Sequence, residues 1–442
     1  MLIIKNATVV NFSPPEVFQD WDIVIDGDQI AAAGPGAAEG LSADEVWDLK
    51  GGIVHPGLVC SHNHFYSGLA RGILADIPPS PDFISTLKNL WWRLDRAIDK
   101  DILKSSGQIC CLDAIRNGTT AVIDHHASPS FLEGSLSVLK DTFEETGLRG
   151  MSCYETSDRN GLAEMKAGIA ENIRMAQEID KEKSEGKWKG LFECHIGAHA
   201  PFTVPEEGLK LLSDAVESTG RGLHIHVAED RYDVAHSHHH YSEDLLVRLD
   251  RHGLLNSKAI VAHGLYLSEE ERKILNERNS FLVANFRSNM NNNVGSQKNI
   301  GSYKNAALGT DGMGTDMWEE LKFAYFKHKD EGGPLWPGDF LNFLHNGNTI
   351  LERNFDSRFG RIEKGFKADI VVSDYNAPTP LKAENIAGHI AFGQSASSVR
   401  SVIIEGKVVL KDREFPFDVS SIYKTARDNA ARLWEKMNSI EP

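Results

Sequence analysis

The stretch PGLVCSHNHFYSGLARGI, residues 56–73, carries His62 and His64 one residue apart at the end of an apolar run. On a strand, residues i and i+2 point to the same face, so both imidazoles can grip one metal ion from one side of a sheet. Strands often carry such a pair for packing alone, and the pair gains weight from three segments further along the chain. GLHIHVAED (222–230), IVAHGLYLS (260–268) and ALGTDGMG (307–314) each place a histidine or carboxylate at the end of a short apolar run. Four such pieces in one chain are the parts of a metal-hydrolase site.

Outward from this stretch, the middle of the chain alternates short apolar runs with longer helical patterns, the βαβ signature of a parallel sheet. Eight strand candidates emerge: GIVHPGLVCS, TTAVIDHH, GMSCYETS, LFECHIGAH, GLHIHVAE, AIVAHGLY, FLVANFRS and AALGTDG. Each begins apolar and ends polar, as expected of a (β/α)8 TIM-like barrel whose site lies at the C-terminal strand ends. A doubly wound sheet also alternates, but no Gly-x-Gly-x-x-Gly turn follows the first strand. Strand-rich segments at both ends, LIIKNATVVN with WDIVIDGDQIAAAG and KADIVVSDYN with VRSVIIEGKVVLKDREF, predict a small β-sandwich domain built from both chain termini. The expected partition is 1–54 and 359–415 for that composite domain, 55–358 for the barrel, and 416–442 for a C-terminal helix.

A chain of 442 residues exceeds one ordinary domain, and one barrel of ~250 residues with an accessory domain accounts for it. The net charge of −16, with no offsetting basic stripe, argues against nucleic acid as a partner. No apolar run is long enough to span a bilayer, and the N-terminus lacks a signal-peptide layout, so a cytoplasmic protein is expected. Five cysteines without a Cys-x-x-Cys read as reduced, mostly buried thiols rather than a zinc site.

The residues themselves suggest roles. His62, His64 and His226 are candidate metal ligands, and Asp311 in Gly309-Thr310-Asp311-Gly312 can complete the set. Three imidazoles, one carboxylate and an open position for water describe a catalytic rather than a structural site. Glu229, three residues beyond His226, is placed to shuttle protons, and His263 to touch water or substrate. His224 sits deeper on the face of His226 and reads as a buried, hydrogen-bonded residue.

The order His-x-His, His-x-x-Glu, Ala-His-Gly, Gly-Thr-Asp-Gly resembles the amidohydrolase superfamily, in the branch that holds guanine deaminase, adenosine-type deaminases and triazine hydrolases. SHNHFYSGLARGI (61–73), PDFISTLKNLWWRLDRA (81–97), IDHHASPS (123–130), IGAHAPFTVPEEGL (196–209), RSNMNNNVG (287–295) and NIAGHIAFG (385–393) resemble a bacterial aminohydrolase subgroup associated with selenium-dependent purine metabolism. That resemblance implies metal ligands at His62, His64, His226 and Asp311, a proton-shuttling Glu229, and His263 behind the ligands. It implies one metal ion, because the fourth strand lacks the lysine that binuclear members carboxylate; zinc is expected, and iron(II) accepts the same ligands.

The implied reaction is hydrolytic deamination of a small, purine-like N-heterocycle, with catalysis by Glu229, His263 and Asp311. The alternative is hydrolysis of a cyclic amide in an oxopurine-like ring, and a metal-stabilised scaffold is a third reading. Relatives place a substrate-binding group where His199 stands. Arg159, Arg71 and Trp92 are further candidates for substrate contact, each with a structural alternative: a loop salt bridge with Asp158 or a neighbour for Arg159, a structural role for Arg71, and helix packing for Trp92 or its neighbour Trp91. Asp124-His125-His126 and Asn289 are expected near the metal as support. His236-Ser237-His238-His239-His240 reads as a solvated loop rather than a second ligand cluster. The expected assembly is a homodimer, as in many enzymes of this size.

Overall fold

The computed structural model describes residues 1–441. Its chain runs through 17 strands. Five come first, β1 (Leu2–Phe12), β2 (Pro15–Asp26), β3 (Gln29–Gly34), β4 (Glu45–Asp48) and β5 (Ile53–Pro56). Nine short strands separated mostly by helices follow: β6 (Leu58–Asn63), β7 (Thr119–Asp124), β8 (Arg149–Ser152), β9 (Phe192–Cys194), β10 (Ile196–Ala198), β11 (Leu223–Val227), β12 (Ile260–His263), β13 (Phe281–Ala284) and β14 (Ala306–Leu308). The chain closes with β15 (Ile370–Ser373), β16 (Val399–Ile404), β17 (Lys407–Leu410) and a helix, Val419–Asn438.

The protein is α/β. Strands β6-β7-β8-β9 form one parallel sheet and β10-β11-β12-β13-β14 another. Isolated parallel bridges pair Asn63 at the end of β6 with Asp311 after β14, and Thr156 after β8 with Ala198 on β10. Strands β6 to β14 are buried along their whole length, as in a sheet covered on both faces. Each of the eight predicted runs contains a strand, and the first and fourth contain two each, β5 with β6 and β9 with β10.

The predicted first run, 52–61, divides at Gly57. Its front half, β5, pairs with β1 and β15, and only from Leu58 does it join the parallel sheet as β6. A Cβ at Gly57 would stand 1.9 Å from Thr120 Oγ1, so the crossing demands glycine. Strands from both termini lie in one eight-stranded sheet, ordered β17-β16-β15-β5-β1-β2-β3, with β4 also on β1. The two ends of the chain therefore share hydrogen bonds.

One buried ion pair ties the two regions together. Arg149 on β8 donates to Asp369 through Nε (2.7 Å) and Nη2 (2.9 Å), and its guanidinium also meets Glu405. The final helix buries Ala426, Leu433 and Met437, and packs on the helix Lys100–Arg116, which Asp99 caps through Ile102 N. All five cysteines are free, and four are buried. No helix among the described residues is long and apolar enough to cross a membrane.

Candidate metal centre and cavity

At the C-terminal ends of the parallel strands lies a cavity open to solvent. Its floor is polar. His64, His226, Glu229 and Asp311 line it, beneath walls that include Phe83, Trp91, Trp92 and Met313.

The imidazoles converge. His64 Nε2 lies 2.8 Å from Asp311 Oδ1 and 3.2 Å from His226 Nε2, and His62 Nε2 lies 3.6 Å from the same carboxylate oxygen. One donor atom from each of His62, His226, His263 and Asp311 falls within 4.8 Å of the others. The backbone directs them there. Strand β6 ends at His62 and Asn63, β11 carries His226, β12 ends at His263, and Asp311 follows β14. Two of these residues hold left-handed backbone, His263 at φ 71° and Asp311 at φ 52°. Non-glycine residues reach that region at a cost of order 1–3 kcal/mol, usually where a site over-determines the geometry.

Hydrogen bonds decide which nitrogen each ring offers. Nδ1 of His64 donates to the His125 carbonyl (2.6 Å), that of His226 to the His199 carbonyl (2.9 Å), and that of His263 to Asn289 Oδ1 (2.8 Å). Each leaves its Nε2 lone pair toward the centre. Nε2 of His62 and of His263 is buried with no hydrogen-bond partner among the described residues. Buried lone pairs without a donor are costly. A divalent cation supplies what they lack, and three or four imidazoles with one carboxylate form a donor set that zinc accepts.

Asp311 is engaged on both oxygens, since Ser288 Oγ donates to Oδ2 (2.5 Å). Burial pushes its carboxyl up, but His62 and His64 outweigh that and hold it well below the usual range. Glu229 is different. Burial pushes its carboxyl up to about 7, against the pull of His263. Its Oε2 stands 3.6 Å from His263 Nε2, and Asn292 Nδ2 donates to Oε1 at 3.4 Å. A carboxyl near half-protonation at neutral pH can both take and give a proton.

Of the substrate candidates, His199 and Trp92 line the cavity, together with Trp91. Nδ1 of His199 lies 2.8 Å from Thr203 Oγ1, and its ring meets Trp92 edge-on with centroids 6.3 Å apart. The two arginines are not brought to the cavity wall. Arg159 pairs with buried Asp95 and stacks on Trp92, 5.3 Å from the ring centroid. Arg71 is mostly exposed and pairs with Asp113. Ion pairing therefore places both outside the lining.

His224 sits beneath the cluster, its Nε2 2.9 Å from His62 Nδ1, and His125 contacts the same group from β7's end. Asn289 stands not on a strand end but in a short helix, Phe286–Asn291. The predicted loop 236–240 is helical, within Arg231–Tyr241, capped by Asp230 through Tyr232 N. Sequence reading missed Glu155, Tyr66 and Ser288 in the lining. Glu155 was findable, because it follows the apolar run of the third strand as Glu229 follows the fifth; Tyr66 and Ser288 had no such signal.

Residues 53–409 match the amidohydrolase family. The chain is 29% identical over 420 residues to a 5-methylthioadenosine/S-adenosylhomocysteine deaminase of Thermococcus sibiricus, covering 92% of this chain and 94% of the relative. It is 28% identical over 448 residues to a 5'-deoxyadenosine deaminase of Methanosarcina mazei, with 99% of each chain covered. Among solved structures it resembles an adenosine deaminase from Xanthomonas campestris with bound zinc, at a TM-score of 0.85 and 24% identity over 98% of both chains. With the match spanning both parallel sheets and every residue of the imidazole cluster, the chain belongs to the amidohydrolase family.

Proposed function

We propose that this protein is a metal-dependent aminohydrolase that removes the exocyclic amino group of a small, purine-like heterocycle by hydrolysis. The observation that carries this is the convergence, at the floor of one cavity, of the unpartnered Nε2 atoms of His62 and His263 with the buried carboxyl of Glu229, 3.6 Å from His263 Nε2. The names of the relatives support the purine-like substrate. On this reading the two parallel sheets are halves of a closed (β/α)8 barrel, 55–358, and the terminal strands, 1–54 and 359–415, fold as a sandwich beside it.

His62, His64, His226 and Asp311 would hold one divalent ion, zinc before iron(II). When bound, such an ion lowers the pKa of a ligated water toward neutrality and polarises the carbon's substituents. The chain's residues do the rest. Asp311 Oδ1 accepts the water's proton while Ser288 holds its other oxygen in place. His263, its Nδ1 anchored on Asn289, presents Nε2 to orient the attack. Glu229 would donate a proton to the ring nitrogen beside the attacked carbon, then take up the proton of the new hydroxyl. It would deliver that proton to the departing amine as the C–N bond breaks and C=O forms, and the proton held by Asp311 would then return to Glu229. Trp91 and Trp92 give a flat apolar wall for the ring, and His199 holds its far edge.

The test is turnover of a panel of amino-heterocycles by the purified, metal-loaded protein, read by mass spectrometry and an ammonia assay. Replacement of an amino group by oxygen with release of ammonia is expected. A product heavier by one whole water, without ammonia, would assign ring opening instead.

A further inference from the structure

Glu155 is a second buried carboxyl in the cavity, and the proposed chemistry does not use it. It follows β8, where backbone pairing fixes it. Its N–H donates to the His126 carbonyl (2.7 Å), and parallel bridges hold Tyr154 to His126 and Thr156 to Ala198 on either side. The side chain is 4% exposed yet lines the cavity wall. One donor atom each of Glu155, His125, His64 and His226 lies within 4.8 Å of the others, so the carboxylate stands next to the reacting centre rather than at the cavity mouth.

That set is not a second metal site. His64 and His226 direct their Nε2 atoms at each other, and His64 also at Asp311. The remaining two donors already bond to one another, His125 Nδ1 lying 3.2 Å from Glu155 Oε2. The other nitrogen of His125 faces the Ala198 and His224 carbonyls, both at 3.1 Å. Arg159 pairs with Asp95 through Nη2 and makes no hydrogen bond to Glu155, its buried Nε and Nη1 having no partner among the described residues. His199 Nε2 lies 3.9 Å from Glu155 Oε1, beyond hydrogen-bond reach, and burial lowers the imidazole's pKa to about 4, so the ring is neutral near pH 7. A carboxylate oxygen has room for two donors, and Oε1, on the cavity wall, accepts none among the described residues.

We infer that Glu155 binds the substrate's leaving amino group, accepting one of its N–H bonds through Oε1, and so selects primary amines over their oxo counterparts. This rests on the deaminase reading. Deamination with water turns C–NH2 into C=O and releases ammonia, so a donor facing Glu155 becomes an acceptor. The same carboxylate that holds the substrate therefore repels the product. Its consequence is a preference in binding, separable from chemistry.

The experiment uses metal-loaded protein with Glu229→Gln to stop turnover, and reads binding from tryptophan fluorescence, since Trp91 and Trp92 line the cavity. Three amino/oxo pairs serve as probes: adenosine and inosine, guanine and xanthine, cytosine and uracil. For the pairs that bind, the amine is expected to bind more tightly by about 10–100-fold, the range for a hydrogen bond to a charged group. Adding Glu155→Gln, which keeps the shape but offers a donor, should weaken the amine, tighten the oxo compound and collapse or invert the ratio at equal metal content. A purely structural Glu155 would shift both members of a pair together. An unchanged ratio, or no binding by any pair, overturns the inference. A ratio that responds to Glu155→Gln, in a protein whose parent releases no ammonia, would sink the deaminase reading while leaving the binding role in place.

Discussion

His62 Nδ1 lies 2.9 Å from Nε2 of His224, a fully buried ring one layer below the cluster. That contact fixes the plane of the His62 ring and leaves its Nε2 for the centre. Partners behind a metal-binding histidine typically contribute 10–100-fold to metal affinity. We expect His224→Ala to weaken zinc binding by about that factor, measured by competition with a chromophoric chelator. Unchanged affinity would mean that His62 needs no support from below.

Glu229 gives the sharpest separation of chemistry from folding. Glu229→Gln keeps the size of the side chain and its Asn292 contact but cannot cycle a proton. Turnover should fall by about 10²–10⁴, with metal content and melting temperature unchanged. Loss of metal in step with activity would reassign Glu229 to the ligand set.

Arg149 is fully buried and held in a two-point pair with Asp369 across the junction between the parallel and mixed sheets. Removing one partner leaves a buried charge uncompensated, which costs about 3–5 kcal/mol. Arg149→Ala should lower stability by about that amount in urea unfolding, and Arg149→Lys should recover only part of it, because a lysine cannot reproduce the paired geometry.

His55 predicts how stability follows pH away from the metal. It is buried between Phe12 and Trp318, its Nδ1 donates to the Pro56 carbonyl, and burial lowers its pKa from 6.5 to about 4. Between those values the unfolded chain binds the extra proton. The stabilisation is therefore full above pH 6.5 and is lost as pH falls toward 4. Wild type should lose about 3 kcal/mol more than His55→Leu over that interval, measured at constant metal content. Parallel pH profiles for the two proteins would contradict this.

Much of the site was readable because a period-2 strand puts His62 and His64 on one face, and because polar residues that close apolar runs gather where parallel strands end. What stayed hidden depends on side chains meeting across the chain. Nothing near Arg159 in sequence announces Asp95, and nothing near Arg71 announces Asp113, so a structural role and substrate contact could not be told apart for either arginine. Gly57 did not read as a boundary because the apolar run continues through it; only Thr120, on the neighbouring strand, forbids a side chain there. The histidines after Glu229 read as a solvated or lid-forming loop because their spacing is irregular and they follow the fifth strand, yet Asp230 caps a helix through them.

If the cavity is a deaminase site, water replaces an exocyclic amine at a metal centre served by Glu229. The decisive experiment is turnover in ¹⁸O-labelled water, with the product's mass and released ammonia quantified for metal-loaded, metal-stripped and Glu229→Gln protein. One ¹⁸O atom per product and one ammonia per turnover are expected, abolished by chelation and restored by zinc, and nearly absent in Glu229→Gln. Turnover that survives metal removal, or a labelled product formed without ammonia, would contradict this mechanism.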